Sequence, residues 1–200
     1  MIKNNFLLFS FLFIIASCTK TFDTVEAIHT YIKDGDNGYS YTKTVNGVDY
    51  VLQYRPTDLL VKQELGEKYK PEQIGPLRKK YGKYMYFNLS MSQNNQELLN
   101  GMARDKAKFG QMVNDLAFGM EQKVHLYTPA KDTMAMSDFI YPRMYGMSNA
   151  TSIMIVYPRA EKYMHQEYLN FVVQDLGLGT GDIKFKINTR ALLNEPQLQF

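Results

Sequence analysis

The chain has 200 residues, with 23 lysines and arginines against 20 aspartates and glutamates, and its formal net charge is +3. A charge so close to balance, without a basic stripe, argues against nucleic-acid binding. The single cysteine excludes a disulfide within the chain and a cysteine-rich metal site. With 15 tyrosines, 12 phenylalanines and 12 methionines, the composition favours one domain with a core of aromatic and flexible side chains.

The first 18 residues have the organisation of an export signal. Lys3 supplies a positive charge, and residues 6–16 form an uncharged apolar run that is too short to cross a bilayer as a helix. The run ends in Ile15-Ala16-Ser17-Cys18, which resembles the lipobox of bacterial lipoproteins. The resemblance implies that residues 1–17 are a signal peptide, and that Cys18 carries diacylglycerol and an acyl chain such as palmitate. The alternatives are a chance cysteine after an ordinary signal peptide and a buried thiol in a membrane helix.

Residues 18–34 lead from that cysteine to the domain. Their apolar face has the spacing of a short amphipathic helix and is formed by Val25, Ile28, His29 and Ile32. The sequence therefore predicts a lipid-anchored N-terminal arm at residues 18–34 and a single domain at residues 35–200. Residues 34–38, Asp-Gly-Asp-Asn-Gly, indicate a turn between the two.

Residues 39–53 predict a β-hairpin. Side chains alternate in character on both sides of Asn46-Gly47, a pair that accepts the positive φ angles of a tight hairpin turn. Pro56 ends the second strand, and Thr57 is placed to cap a helix, with a strand over residues 59–65 as the alternative. Residues 71–81 predict a short helix, and residues 83–92 alternate as a strand.

Residues 96–122 predict one long helix, capped by Asn94 or Asn95. Its apolar residues recur at three- and four-residue steps, and they include Leu98, Met102, Phe109, Met112, Leu116 and Met120. Such a stripe is typical of a helix that packs on a core.

The C-terminal part predicts short strands. They are expected at residues 123–128, 152–157, 168–176 and 182–187, with a loop at residues 133–145 and a glycine-rich turn at residues 177–181. Hairpins without a regular strand–helix–strand alternation favour an α+β fold. We expect an antiparallel sheet or sandwich that is combined with one long helix and a few short helices.

Candidate catalytic and metal-ligating residues are scattered. His29, His125 and His165 have no paired spacing of the kind that a metal site uses. Two carboxylates can act as a pair in a glycosidase, and only a structure shows whether any are close enough. The candidate aspartates are Asp132, Asp138, Asp175 and Asp182. The sequence thus predicts no catalytic residue, no metal site and no cofactor other than the lipid on Cys18.

Two copies of one tripeptide, Tyr141-Pro-Arg143 and Tyr157-Pro-Arg159, have two interpretations. In the first, the proline ends a strand and the arginine covers its aromatic neighbour. In the second, tyrosine and arginine form a surface for a partner protein or a glycan, because these residue types dominate binding hot spots. The residues of that possible interaction surface are Tyr141, Arg143, Tyr145, Tyr157 and Arg159.

The lipobox, together with the aromatic, asparagine- and lysine-rich composition, resembles small lipoproteins of the Bacteroidota. The resemblance implies O-glycosylation at Asp-Thr followed by an apolar residue, a pattern that Thr24 and Thr133 fit. It also implies the periplasmic face of the outer membrane, because the acidic run typical of surface export does not follow Cys18. The inner membrane and the cell surface are the alternatives.

Two functions follow as hypotheses. In the first, the protein is a non-enzymatic binding or structural component of an envelope assembly, with the membrane and envelope proteins as its partners and no nucleic acid. In the second, it is a tethered hydrolase or glycan-binding module, which predicts at least two carboxylates or a histidine–carboxylate pair that converge in one cleft.

Overall fold

The computed structural model of the chain describes residues 19–200, so the predicted signal peptide, residues 1–17, and the predicted lipid site, Cys18, lie outside the described residues. Within that range, antiparallel sheets of five and four strands are combined with short helices. This α+β fold confirms the predicted fold class. Among residues 19–200, no helix combines the length and the apolar character that a membrane crossing requires.

The helices are α1 (Val25–Lys33), α2 (Thr57–Leu65), α3 (Ile74–Tyr81), α4 (Leu98–Met102), α5 (Lys106–Asn114), α6 (Met120–Lys123), α7 (Glu161–Met164) and α8 (Thr189–Leu193). The strands are β1 (Thr21–Phe22), β2 (Ser40–Val45), β3 (Val48–Arg55), β4 (Tyr84–Gln93), β5 (Val124–Tyr127), β6 (Thr133–Met134), β7 (Asp138–Ile140), β8 (Thr151–Pro158), β9 (Tyr168–Val173), β10 (Ile183–Asn188) and β11 (Gln197–Leu198). The five-stranded sheet has the order β2-β3-β4-β8-β7, and the four-stranded sheet has the order β10-β9-β5-β6.

The predicted hairpin is confirmed as β2 and β3. Val45 pairs with Val48 across the turn, and Asn46 and Gly47 have φ angles of 50° and 74°, as a tight hairpin turn requires. The alternation that the sequence shows in β3 places Tyr50 and Leu52 in the core. The strand interpretation of residues 59–65 is wrong, because these residues belong to α2.

The core lies between the inner faces of the two sheets. Phe87 of β4 contacts Phe171 of β9 with ring centroids 5.6 Å apart, and Tyr157 of β8 contacts the same ring at 6.4 Å. The strict alternation of β10 places Phe185 in the core and Lys186 in solvent, as predicted. Because inner and outer side chains alternate along each strand, the outer face of the five-stranded sheet carries a separate, smaller apolar cluster, in which Leu60 of α2 packs on Tyr86 and Val156.

The predicted long helix is divided near its start. The Asp105 carboxylate accepts hydrogen bonds from the backbone N–H groups of Ala107 and Lys108 at 3.1 Å, so a new helix begins there and α4 stands apart. From α5 the helix continues through a π-helical segment, Asp115–Gly119, into α6. The predicted loop at residues 133–145 contains β6 and β7, which are too short for their alternation to be visible in the sequence.

The N-terminal arm packs against the domain. Thr24 caps α1 by accepting a hydrogen bond from the Ala27 N–H at 3.1 Å, and Ile28 and Ile32 of this helix are buried in the core. Strand β1, before the helix, pairs in parallel with β11 at the C-terminal end. Residues 21–33 are therefore an integral part of the fold.

Two ion pairs hold the ends of the chain against one end of the five-stranded sheet. The buried Asp58 carboxylate accepts hydrogen bonds from Arg78 at 2.7 and 2.8 Å and from the Leu198 N–H at 2.8 Å. Glu195 pairs with Arg159 at 3.1 Å. We refer to these groups as the terminal cluster.

Replacement of Ile28 tests whether the arm belongs to the cooperative unit. Ile28→Ala is expected to lower the free energy of unfolding by about 2–5 kcal/mol, because it opens a cavity in a closed core. Urea denaturation measures this loss, with His29→Ala on the exposed side of α1 as the matched control. If Ile28→Ala has no more effect than His29→Ala, the arm is not part of the unit that unfolds.

A second prediction concerns alkaline pH. Burial raises the pKa of Tyr157 above the ordinary 10.0, and its hydroxyl donates to the Val124 carbonyl at 3.2 Å. Above about pH 10 the unfolded chain loses this proton while the folded protein keeps it, so stability falls by up to about 1.4 kcal/mol per pH unit. Tyr157→Phe is expected to reduce that slope, and to cost about 1 kcal/mol near pH 7 because Val124 loses its donor. Urea denaturation across this pH range measures both, and an unchanged alkaline slope contradicts the prediction.

Candidate functional site

A buried glutamate organises the loop at the other end of the five-stranded sheet. Glu97 lies between β4 and α4, is only 4 % exposed, and accepts hydrogen bonds from the N–H groups of Gly146 and Ser148 at 3.3 and 3.2 Å. The N–H of Leu98 donates to the Thr151 hydroxyl at 3.0 Å, which joins the start of α4 to the start of β8. These bonds fix residues 141–148, which we call the aromatic loop, against the sheet.

The aromatic loop presents large side chains to solvent. Tyr145 is 80 % exposed and Met147 is 78 % exposed. Tyr145 has a φ angle of 52°, in the left-handed region that a residue with a Cβ atom rarely adopts, and Gly146 follows with 81°. Backbone strain of this kind persists only where surrounding contacts hold it, and it is concentrated at functional sites.

A cavity of about 300 Å³ lies beneath this loop. Its walls are formed by Tyr141, Arg143 and Tyr145 from the loop and by Leu99, Phe109 and Val113 from α4 and α5. We call it the aromatic pocket. Three residues of the predicted interaction surface therefore meet at one site, together with exposed aromatic and apolar side chains.

The other two residues of the predicted surface lie elsewhere. Tyr157 is fully buried in the core, so the prediction that it contacts a partner is wrong. Arg159 is mostly buried in the terminal cluster, where it bonds to Glu195, to the Tyr54 hydroxyl and to the Leu192 carbonyl. For this copy of the tripeptide the first interpretation is correct in that the proline ends β8, but the arginine bonds to Tyr54, a residue of another strand.

The chemistry of the aromatic pocket suits binding. Burial raises the pKa of Tyr141, the negative charge of Glu97 raises it further, and Arg143 partly offsets the increase. The Tyr141 phenol is therefore a neutral hydrogen-bond donor at physiological pH. With a cationic arginine and flat aromatic surfaces beside it, the pocket provides polar and apolar contacts together.

Two of the scattered candidates from the sequence, His165 and Asp175, have local partners. His165 lies 3.4 Å from Glu161, but both side chains are exposed on one helix turn. Asp175 accepts hydrogen bonds from the N–H groups of Leu178 and Gly181, and so has a structural role in the glycine-rich turn. Among residues 19–200, no three histidines, cysteines, aspartates or glutamates come together in a group that could hold a metal ion.

Both predicted O-glycosylation sites are accessible. Thr24 is exposed at the start of α1, and Thr133 is exposed in β6. Both positions meet the minimal requirement of an acceptor hydroxyl at the surface, and their modification remains a prediction.

The contributions of Glu97, Leu99 and Phe109 to this site were missed from the sequence. Phe109 was placed on the core face of the long helix because its spacing fits that stripe, yet it is partly exposed. Nothing in the local pattern marks Glu97, because its role depends on a loop 49 residues further along the chain.

Comparisons with known proteins produced no relative: no protein-family model matches the chain, and neither does any curated protein or solved structure.

Removal of the Glu97 carboxylate is expected to release the aromatic loop. In Glu97→Ala, two N–H groups lose their acceptor, so trypsin is expected to cleave after Arg143 at least about tenfold faster. Limited proteolysis with mass spectrometry of the fragments measures the rate. Glu97→Gln, which keeps an acceptor oxygen, is expected to have a smaller effect, and Glu121→Ala at an exposed position of α6 is the control. Equal rates in all variants would show that Glu97 does not hold the loop.

Proposed function

We propose that the protein is a lipid-anchored, non-enzymatic binding component of a bacterial envelope assembly, and that it contacts a partner protein through the aromatic loop and pocket. The observation that carries the proposal is the exposed Tyr145 and Met147 above a pocket that contains Tyr141 and Arg143. Tyrosine, arginine and methionine are enriched in protein interfaces, and pockets near the centre of an interface accept the side chains that contribute most affinity.

The positions of the chain ends support this arrangement. Strand β1 begins at Thr21, three residues after Cys18, and it is held by β11 beside the terminal cluster. That cluster lies where β3 ends and β4 begins, whereas Glu97 follows the other end of β4. Ten residues of β4 span about 30 Å. A lipid on Cys18 would therefore hold one end of the domain at the membrane and leave the aromatic loop at the far end.

The chemistry of the pocket defines the partner. It suits a protein segment with one large apolar side chain for the space between Leu99 and Phe109, and with an acidic or carbonyl group for Arg143 and the Tyr141 hydroxyl. By its resemblance to lipoproteins of the Bacteroidota, the protein is placed on the periplasmic face of the outer membrane, so the partner is a periplasmic or outer-membrane protein.

The proposal is tested by capture of C-terminally tagged full-length protein from crosslinked, detergent-solubilised envelopes. Tyr145→Ala is expected to reduce recovery of the specific partner about tenfold or more, as truncation of a hot-spot residue does. Leu193→Ala, at an exposed apolar position of α8 near the opposite end, is the matched control and is expected to leave recovery unchanged.

The anchor is tested in the same experiment. Cys18→Ala is expected to abolish incorporation of labelled palmitate and to reduce recovery of the partner, because the protein leaves the membrane. Labelled lipid on Cys18→Ala would contradict the anchor. Equal recovery of every captured protein with Tyr145→Ala and Leu193→Ala would contradict the interaction site.

A further inference from the structure

A second, larger groove lies on the outer face of the five-stranded sheet. Its volume is about 650 Å³. Helices α2 and α3 form one wall with Gln63, Glu64 and Tyr81, and β7 forms the opposite wall with Asp138 and Ile140. It shares no residue with the aromatic pocket, so an inference about it is independent of the function proposed above.

The strand register defines the floor of this groove. Arg55 of β3 is opposite Tyr86 of β4, Tyr86 is opposite Val156 of β8, and Val156 is opposite Asp138 of β7. All four belong to the outer face, because their neighbours along the strands face the core. With about 4.8 Å between strands, the row is about 14 Å long, with a cation at one end and a carboxylate at the other.

Tyr81 and Tyr84 lie beside this row, whereas Tyr86, within it, is only 8 % exposed because it packs with Leu60 and Val156. The rings of Tyr81 and Tyr84 each meet the ring of Tyr86 edge to face, with centroids 6.0 and 6.3 Å apart. Tyr84 is 36 % exposed. Burial raises the pKa of Tyr86, and the hydrogen bond with Glu64 raises that of Tyr81, so both phenols are protonated at physiological pH. The groove therefore offers apolar ring surface and hydroxyl donors together.

Arg55 differs from the two other arginines that hold the fold. Arg78 and Arg159 each pair with a carboxylate. Among the described residues, the only hydrogen-bond partner of the Arg55 guanidinium is the Gln63 side-chain oxygen, at 2.5 Å. Burial lowers the pKa of Arg55, which reflects loss of water around a guanidinium that stays charged. A partly desolvated cation without a carboxylate partner favours an anionic group from a ligand.

The acidic residues of the groove suit hydrogen bonding to the same ligand. Lys80 and Tyr81 donate hydrogen bonds to Glu64 and lower its pKa, so this carboxylate is ionised. An ionised carboxylate accepts hydrogen bonds from ligand hydroxyl groups, but it cannot donate a proton to a glycosidic bond. Glu64 therefore acts in this groove as an acceptor for hydroxyl groups of the ligand.

We infer that this groove binds a short acidic glycan, a sugar chain that carries a carboxylate. The carboxylate pairs with Arg55, a sugar ring stacks its C–H face on Tyr84, and sugar hydroxyls donate to Asp138. Rings with an apolar face and a rim of hydroxyl groups match a floor that alternates charged, aromatic and apolar side chains across four strands.

The inference is tested by isothermal titration calorimetry of the full-length protein in detergent. Trigalacturonic acid and sialyllactose are the probes, and the methyl ester of each is the uncharged control. Each acid is expected to bind at least about tenfold more tightly than its ester, because the ester cannot form the ion pair with Arg55.

Substitutions in the groove test whether the ligands bind there. Arg55→Met is expected to weaken binding of the acid about tenfold or more and to leave binding of the ester nearly unchanged. Tyr84→Ala, at a position exposed enough to leave the fold intact, is expected to weaken both ligands by a similar factor. Arg104→Met, at an exposed arginine before α5, is the matched control and is expected to have no effect.

Three results would overturn the inference. They are affinity of both acids weaker than about 1 mM, equal affinity of acid and ester, and equal losses in Arg55→Met and Arg104→Met. None of these results changes the expected capture of a protein partner through Tyr145, so the two proposals fail separately.

Discussion

Two carboxylates, one buried and one mostly buried, determine how the ends of this chain are placed. Asp58 neutralises Arg78 and accepts the N–H of Leu198, and Glu195 accepts hydrogen bonds from the Thr57 N–H and the Tyr54 hydroxyl at 3.0 and 2.7 Å. Loss of Glu195 would leave the mostly buried Arg159 without its carboxylate partner, which is strongly destabilising. Loss of Asp58 would leave the buried Leu198 N–H without its acceptor, whereas the Arg78 side chain, 40 % exposed, would still be solvated. These bonds fix the position of β11 and, through it, of β1. They therefore also set where the chain enters the domain at residue 19.

This placement separates the two candidate sites. The aromatic pocket lies beyond the end of β4 that is remote from the terminal cluster, whereas the tyrosine-lined groove begins at Arg55, close to it. If Cys18 is lipidated as proposed, the groove lies near the membrane and the pocket extends away from it. A protein with this arrangement could hold an envelope glycan and a partner protein at the same time, because the sites do not share a wall.

Strand patterns were the most informative part of the sequence. The β2–β3 hairpin, the alternation of β4 and the β9–β10 pair were all predicted, since a strand with one face in the core alternates visibly over six or more residues. In β4 this alternation puts Tyr84 and Tyr86 on the same face of the sheet. The break in the long helix was missed because the Asp105 cap competes with a continuous apolar stripe, and β7 was missed because three residues are too few to show a period.

By itself, the sequence determined the α+β class and most of the strands, because local periodicity carries these features; the export signal before Cys18 is a prediction from a short motif. Only the tertiary structure decided which of the repeated tyrosine and arginine residues are accessible. Tyr141 and Tyr157 occur in the same tripeptide, yet one lines a pocket and the other is fully buried. The difference arises from strand register and from Glu97, which binds a loop distant in sequence, and contacts of that kind leave no local pattern.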